Sequence, residues 1–116
     1  MLKKSAKIKG RRLQTYVKKK ILKTFKHLKD ADVATVKNGH SGPDILLSRF
    51  AKRIFSYNVE CKNQETLKQI YSFYKQASKK TRLEPLLVIK RNANQPLVVV
   101  SADHFFDLIK IQKGIF

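Results

Sequence analysis

Acidic residues are scarce in this chain. Only 8 Asp and Glu stand against 26 Lys and Arg in 116 residues, a formal net charge of +18. A charge of that size on a small chain repels itself unless a polyanion offsets it, so nucleic acid or an anionic membrane surface is the expected partner. The shortage is uneven. Met1–Lys29 holds 12 Lys and Arg and no acid, and the first carboxylate is Asp30. Between Val33 and Gln64 the only acids are Asp44 and Glu60. Cysteine occurs once, at Cys61, which excludes an intrachain disulfide and suits a reducing compartment, so a cytoplasmic location is expected. No stretch approaches the ~18 consecutive apolar residues of a spanning helix. The basic N-terminal stretch has no apolar core of a secretory signal.

Other chemistries are excluded by what is missing. No His/Cys spacing suits a zinc site. Neither a phosphate-binding loop nor a dinucleotide fingerprint occurs. No Ser/His/Asp order can be assigned. His27 reads as a surface residue beside Lys26, and His104 as a structural one near a helix start.

What is present is enough for a core. Hydrophobic residues make up 42% of the chain, and apolar runs such as 85–89 and 96–100 demand burial, so the chain is not a disordered basic tail. The length fits one compact domain. A flexible basic arm is expected over residues 1–10 and a folded domain over 11–116. From Arg11, Leu13, Val17, Ile21, Phe25 and Leu28 recur in helical steps. Lys18 and its neighbours point away from that face and would attract phosphate. Val33–Val36 reads as a short strand, 37–43 as a loop by its Asn-Gly and Gly-Pro signals, and Asp44–Ser48 as a strand. Arg49–Phe55 reads as a helical turn or a hairpin connection. Ser56–Lys62 reads as a strand. Thr66 is expected to cap a second helix through about Lys79. Strands over Leu86–Lys90 and Leu97–Val100 would form a hairpin. Neither alternates with polar residues, so both faces should be covered. A closing helix over Ala102–Ile111 takes Ser101 or Asp103 as its cap. The order predicts an α/β fold, a central mixed β-sheet flanked by helices.

The two isolated acids carry the chemistry. Alternation along a strand puts Asn58, Glu60 and Lys62 on one face, with Glu60 and Lys62 about 7 Å apart along the backbone. Pairing of 44–48 with 56–62 would bring Asp44 beside Glu60. Two convergent carboxylates suit a hard divalent cation such as Mg²⁺, and the backbone carbonyl of Cys61 is a candidate further ligand. A cation so held polarises a phosphoryl oxygen and activates water, while a lysine ammonium offsets developing charge. The plainer alternative is a turn-capping Asp44 and a solvated Glu60–Lys62 pair. His40, in the loop before Asp44, is a candidate contact to DNA or a metal-bound water.

Taken together, Pro43-Asp44 and Glu60-Cys61-Lys62 resemble the PD-(D/E)xK nuclease superfamily. More narrowly, Lys9-Gly10-Arg11-Arg12, Ser41-Gly42-Pro43-Asp44, Val59-Glu60-Cys61-Lys62 and a following helix carrying Gln76 resemble archaeal-type Holliday junction resolvases and small phage-encoded endonucleases. The resemblance implies a restriction-endonuclease-like fold, a homodimer, Mg²⁺ dependence with Mn²⁺ as substitute, and cleavage of four-way DNA junctions. It implies that Asp44 and Glu60 are metal ligands and that Lys62 is the catalytic lysine. Ser41 becomes a substrate-contacting residue and Gln76 a polar residue lining the site. Lys9, Arg11, Arg12 and Lys18 become DNA contacts. The resolvases usually carry a glutamate four residues after the glycine. Here that position is Gln14, which can still hydrogen-bond a metal-bound water but adds no charge. Three other functions remain open: nicking or homing-type cleavage of linear duplex, non-catalytic nucleic-acid binding, and binding to anionic membrane. The last is disfavoured because the first helix needs its apolar residues for the core.

Overall fold

Straight-chain Lys, Arg, Leu and Gln dominate the first third of the chain, and proline is absent from it; both favour helix. The computed structural model, described for residues 3–37 and 42–114, has helix α1 over Lys3–Thr24. The helix therefore starts ahead of Arg11, and residues expected in a basic arm lie within it. The remaining elements are β1 (Val33–Thr35), β2 (Ile45–Leu47), α2 (Arg49–Ile54), α3 (Lys68–Ser78), β3 (Leu87–Ile89), β4 (Leu97–Val99) and α4 (Ala102–Gln112). The class is α/β. The described strands pair two by two, β1 with β2 and β3 with β4, both antiparallel, where one central mixed sheet was expected. The chain divides into two units, 1–63 and 64–116.

In the first unit α1 packs on β1. The helical stripe delivers Ile21, and beyond the helix end Phe25 and Leu28, into a core shared with Val33, Ile45, Ala51 and Phe55. The register Val33↔Leu47, Ala34↔Leu46 and Thr35↔Ile45 sorts the side chains. Val33 and Ile45 are buried, whereas Ala34 and Leu46 face outward, as the period of two requires.

The stretch 49–55, ambiguous in sequence, becomes a short helix because Ser48 caps it. The Ser48 hydroxyl accepts from the Ala51 N–H at 3.0 Å and donates to Asp32 Oδ1 at 2.7 Å. Asp32 Oδ2 accepts the Lys29 N–H at 2.8 Å, and the Ser48 N–H donates to the Asp32 carbonyl at 2.8 Å. One aspartate thus ties the turn after α1 to the start of α2.

Residues 56–62 do not form the expected strand. The Asp44 N–H donates to the Val59 carbonyl at 2.9 Å, but the Cys61 N–H goes to the Asp44 carboxylate. A side chain that takes a backbone donor in this way replaces a rung of the ladder.

In the second unit, a 3-10 turn at Glu65–Leu67 leads into α3. Thr66 is not the helix cap: its hydroxyl donates to Gln64 Oε1 at 3.1 Å, and Leu67 occupies the cap position. The hairpin β3–β4 has register Leu87↔Val99, Val88↔Val98 and Ile89↔Leu97. The cross-strand pair Val88–Val98 shares one face of this hairpin, and Leu97 lies on the other. Ser101 caps α4 by accepting the His104 N–H at 3.1 Å. Phe106 and Ile109 are the buried residues of α4.

The Lys29 N–H and the Ser48 hydroxyl hold the Asp32 carboxyl below its ordinary range. A depressed carboxylate stabilises the fold above its unfolded-state pKa, and that contribution is lost as pH falls through the folded value. Thermal unfolding followed from neutral to acid pH should therefore lose an acid-sensitive increment in Asp32→Asn. At neutral pH, Ser48→Ala should lose about 1 kcal/mol or more, since both a cap and a carboxylate donor disappear.

Candidate nuclease site

Asp44 is held by both its backbone and its side chain. Pro43 and Gly42, the latter at φ +106°, turn the chain into β2. Asp44 then faces the segment 59–61 with both its backbone and its side chain. Its N–H reaches the Val59 carbonyl at 2.9 Å, and its Oδ2 accepts the Cys61 N–H at 2.6 Å. Bonds from one residue to positions 59 and 61 set Asp44 opposite Glu60. Among the described residues no hydrogen bond engages Asp44 Oδ1, which remains available as a hard oxygen donor.

Glu60 and Lys62 meet, although the strand whose alternation predicted it does not form. Lys62 Nζ lies 3.3 Å from Glu60 Oε1, and both side chains are well exposed. An ion pair so open to solvent adds little stability. A solvated Glu60–Lys62 pair is what the plainer alternative also expected.

Cys61 lies between the two acids. Partial burial pushes its thiol pKa up, and the negative charges of Asp44 and then Glu60 push it the same way. Asp44 acts on the thiol from the hydrogen bond it makes with the Cys61 amide, and Glu60 as its chain neighbour. Among the described residues, no group of three or more His, Cys, Asp and Glu gathers as a metal site.

The other expected site residues are dispersed. Gln14 is buried, and its Oε1 accepts the Val36 N–H at 3.1 Å. It ties α1 to the end of β1, and among the described residues no hydrogen bond joins it to Asp44, Glu60 or Lys62. Lys18 Nζ pairs with the exposed Asp30 Oδ1 at 3.0 Å. Arg11 and Arg12 are exposed and Lys9 is half-buried on α1. Gln76 is exposed on α3 in the second unit. His40 and Ser41 lie outside the described residues. The sequence reading missed the Asp32–Ser48 knot that fixes the entry to α2. It also missed the aromatic contact of Phe55 with Tyr57, whose only signal was their spacing of two.

The Asp44 interaction can be measured without any activity assay. Asp44→Ala strands the part-buried Cys61 N–H and should cost about 1–3 kcal/mol in urea unfolding, whereas Asp44→Asn keeps an acceptor and should cost less. Asp44→Asn also removes a negative charge beside the thiol. Alkylation of Cys61 at fixed mildly alkaline pH should then run faster than in the wild type, because more thiolate is present.

Set against family models, curated proteins and solved structures, the chain matches none of them.

Proposed function

We propose that the chain is a metal-dependent, structure-selective DNA endonuclease, with four-way junctions as the preferred substrate. The observation that carries this reading is the Asp44–Cys61 hydrogen bond. It fastens Asp44 to the backbone next to Glu60 in the chain, and the Glu60 carboxylate in turn pairs with Lys62. The donor set fits a hard divalent cation: two carboxylates, one with an oxygen not engaged among the described residues, suit Mg²⁺, which keeps several of its waters.

Asp44 and Glu60 would hold the ion, with the Cys61 carbonyl as a further oxygen ligand. Magnesium bound there would polarise a phosphoryl oxygen and lower the pKa of an attacking water. The chain's own residues supply the rest. Lys62 keeps a positive charge where negative charge develops on the phosphate. Asp44 cannot swing away, because Oδ2 is held by the Cys61 amide. Gln14 acts as a positioning residue, holding α1 to the strand that precedes the Asp44 loop. Arg11, Arg12 and the other exposed bases supply sequence-independent affinity for the phosphate backbone.

The restriction-endonuclease-like arrangement and the homodimer belong to the same reading. A two-fold dimer would present two sites for paired cuts, and the cross-strand pair Val88–Val98, exposed on one face of its hairpin, offers apolar surface for a second copy. A second reading, a non-catalytic nucleic-acid-binding protein, draws on the closed Glu60–Lys62 pair and the neutral Gln14.

With Mg²⁺, the wild type should cut a four-way junction in preference to linear duplex, and chelation should abolish cutting. Asp44→Asn and Lys62→Ala should each be slower by about 100-fold or more. Equal cutting by both variants and the wild type would sink the reading. Binding without metal that survives Glu60→Gln, with no cutting of any substrate, would favour the binding protein. Independently, Arg11→Ala with Arg12→Ala should flatten the salt dependence of DNA binding, lowering the log–log slope by about 2 if each contacts one phosphate.

A further inference from the structure

The side of α1 turned away from the core is a surface that the candidate nuclease residues do not use. One face of the helix carries Gln14 and Ile21 into the interior. Tyr16 follows Gln14 by two residues, which at about 100° per residue puts it on nearly the opposite side. Arg12, Tyr16, Lys19 and Lys23 follow one another at helical steps of four, three and four, so they form one stripe along that outward side. All four are exposed. A shallow hollow of about 580 Å³ runs beside the stripe, lined by Ile8, Arg11, Arg12, Thr15, Tyr16 and Lys19.

The charge on this stripe is uncompensated. Met1–Lys29 contains no acid. Lys18, on the flank, pairs with Asp30, whereas among the described residues Arg12, Lys19 and Lys23 pair with no carboxylate. From Arg12 to Lys23 the stripe runs about 16.5 Å at the helical rise. Like charges spread over that length call for a partner whose negative charge repeats. Tyr16 stands among them with its side chain 46% exposed. Among the described residues its ring meets no other ring.

These features choose between polyanions. An anionic membrane would need an apolar face to insert. The helix turns its apolar stripe to the core, and Ile8 and Tyr16 are its exposed large apolar residues among those described. An acidic peptide matches the charge but need not bring a flat face to the ring. A nucleic-acid strand brings both, phosphates at regular intervals and bases that stack on aromatic side chains when unpaired. Inside a duplex those base faces are hidden. We propose that the outward stripe of α1 binds an unpaired stretch of nucleic acid, with one base stacked on Tyr16 and the neighbouring phosphates held by Arg12, Lys19 and Lys23. The proposal uses none of Asp44, Glu60 and Lys62 and does not rest on the nuclease reading.

Fluorescence anisotropy with the full chain, in the absence of divalent ions, tests it. The probes are labelled oligo(dT), oligo(U) and a fully paired DNA duplex. The wild type should bind at least one of the single strands, and whichever binds more tightly identifies the polymer. Tyr16→Ala should weaken that binding by about 10-fold, the effect of one lost stacking contact, and change duplex binding by less than about twofold. Tyr16→Phe should bind as the wild type does. Lys19→Gln with Lys23→Gln should lower the log–log salt slope for the single strand by about 1.4, at about 0.7 for each phosphate contact. The same charge removed from the second unit, by Lys75→Gln with Lys79→Gln, should change it by less than half as much. Four outcomes would overturn the proposal: Tyr16→Ala binding as well as the wild type, equal weakening on the duplex, equal slope changes from the two lysine pairs, or binding to phosphatidylserine vesicles with neither oligonucleotide bound. Tyr16 is exposed and alanine favours helix, so Tyr16→Ala should fold. Should it not, photocrosslinking of the wild type to 5-iodouracil at an unpaired position decides. A crosslink at Tyr16 supports the proposal, and crosslinks confined to Tyr57, Tyr71 or Tyr74 overturn it.

Discussion

The hydrogen bond from the Cys61 N–H to the Asp44 carboxylate is the constraint on which the candidate site depends. Strand β2 is three residues long and pairs with β1 along one edge. The segment 56–62 has no ladder of its own with it. What fastens that segment near its end is one backbone bond to Val59 and this one carboxylate. A 2.6 Å contact to an ionised acceptor is of the charge-assisted kind, roughly twice as strong as a neutral one. The same contact orders the segment and aims Asp44. The cost is that a side chain occupies a donor which a regular strand would have paired with main chain.

Several of the few carboxylates have separate local partners. Asp32 joins the turn after α1 to the cap of α2. Asp30 takes up Lys18, and Glu60 pairs with Lys62. Glu84 stands 3.7 Å from His104 Nδ1 at the start of α4. Each is local, and none neutralises the basic surface as a whole. With 26 Lys and Arg in the chain, most positive charge is left to attract a polyanion. No helix among the described residues is long and apolar enough to cross a membrane.

Periodicity made the helices legible, because their apolar steps are long enough to average out exceptions. The stripe Ile21, Phe25 and Leu28 is buried, although α1 ends at Thr24 and the last two reach the core from the turn that follows it. Ser101 and the hairpin at 87–99 were equally readable from local turn chemistry. Two features were not. Alternation along 56–62 put Glu60 with Lys62, and the two meet without the strand, but it could not reveal that Asp44 would take the ladder position of a carbonyl. The non-alternating apolar strands β3 and β4 suggested burial on both faces, yet Val88 and Val98 are exposed. Hydrophobicity marks what should be covered; it does not name what covers it.

Gln14 shows how a local packing demand bears on the proposed chemistry. Its side chain is 7% exposed, and its Oε1 meets the Val36 N–H. A glutamate there could accept the same bond, but it would bring an ionised group into a place with little water. Burying such a charge without a partner is costly, and the usual response is to hold the proton. Glutamine gives the acceptor without the charge. The tie between α1 and β1 is then insensitive to pH and needs no cation to be satisfied. In the proposed nuclease the ion would be held by two carboxylates rather than three, beside a lysine that already pairs with one of them. Metal affinity in such a site should be modest, and bound DNA, bringing its own phosphate oxygens, would complete the coordination shell. Substrate and ion would then assemble together, so that an acid-poor basic surface and a sparse metal site would be two sides of one requirement.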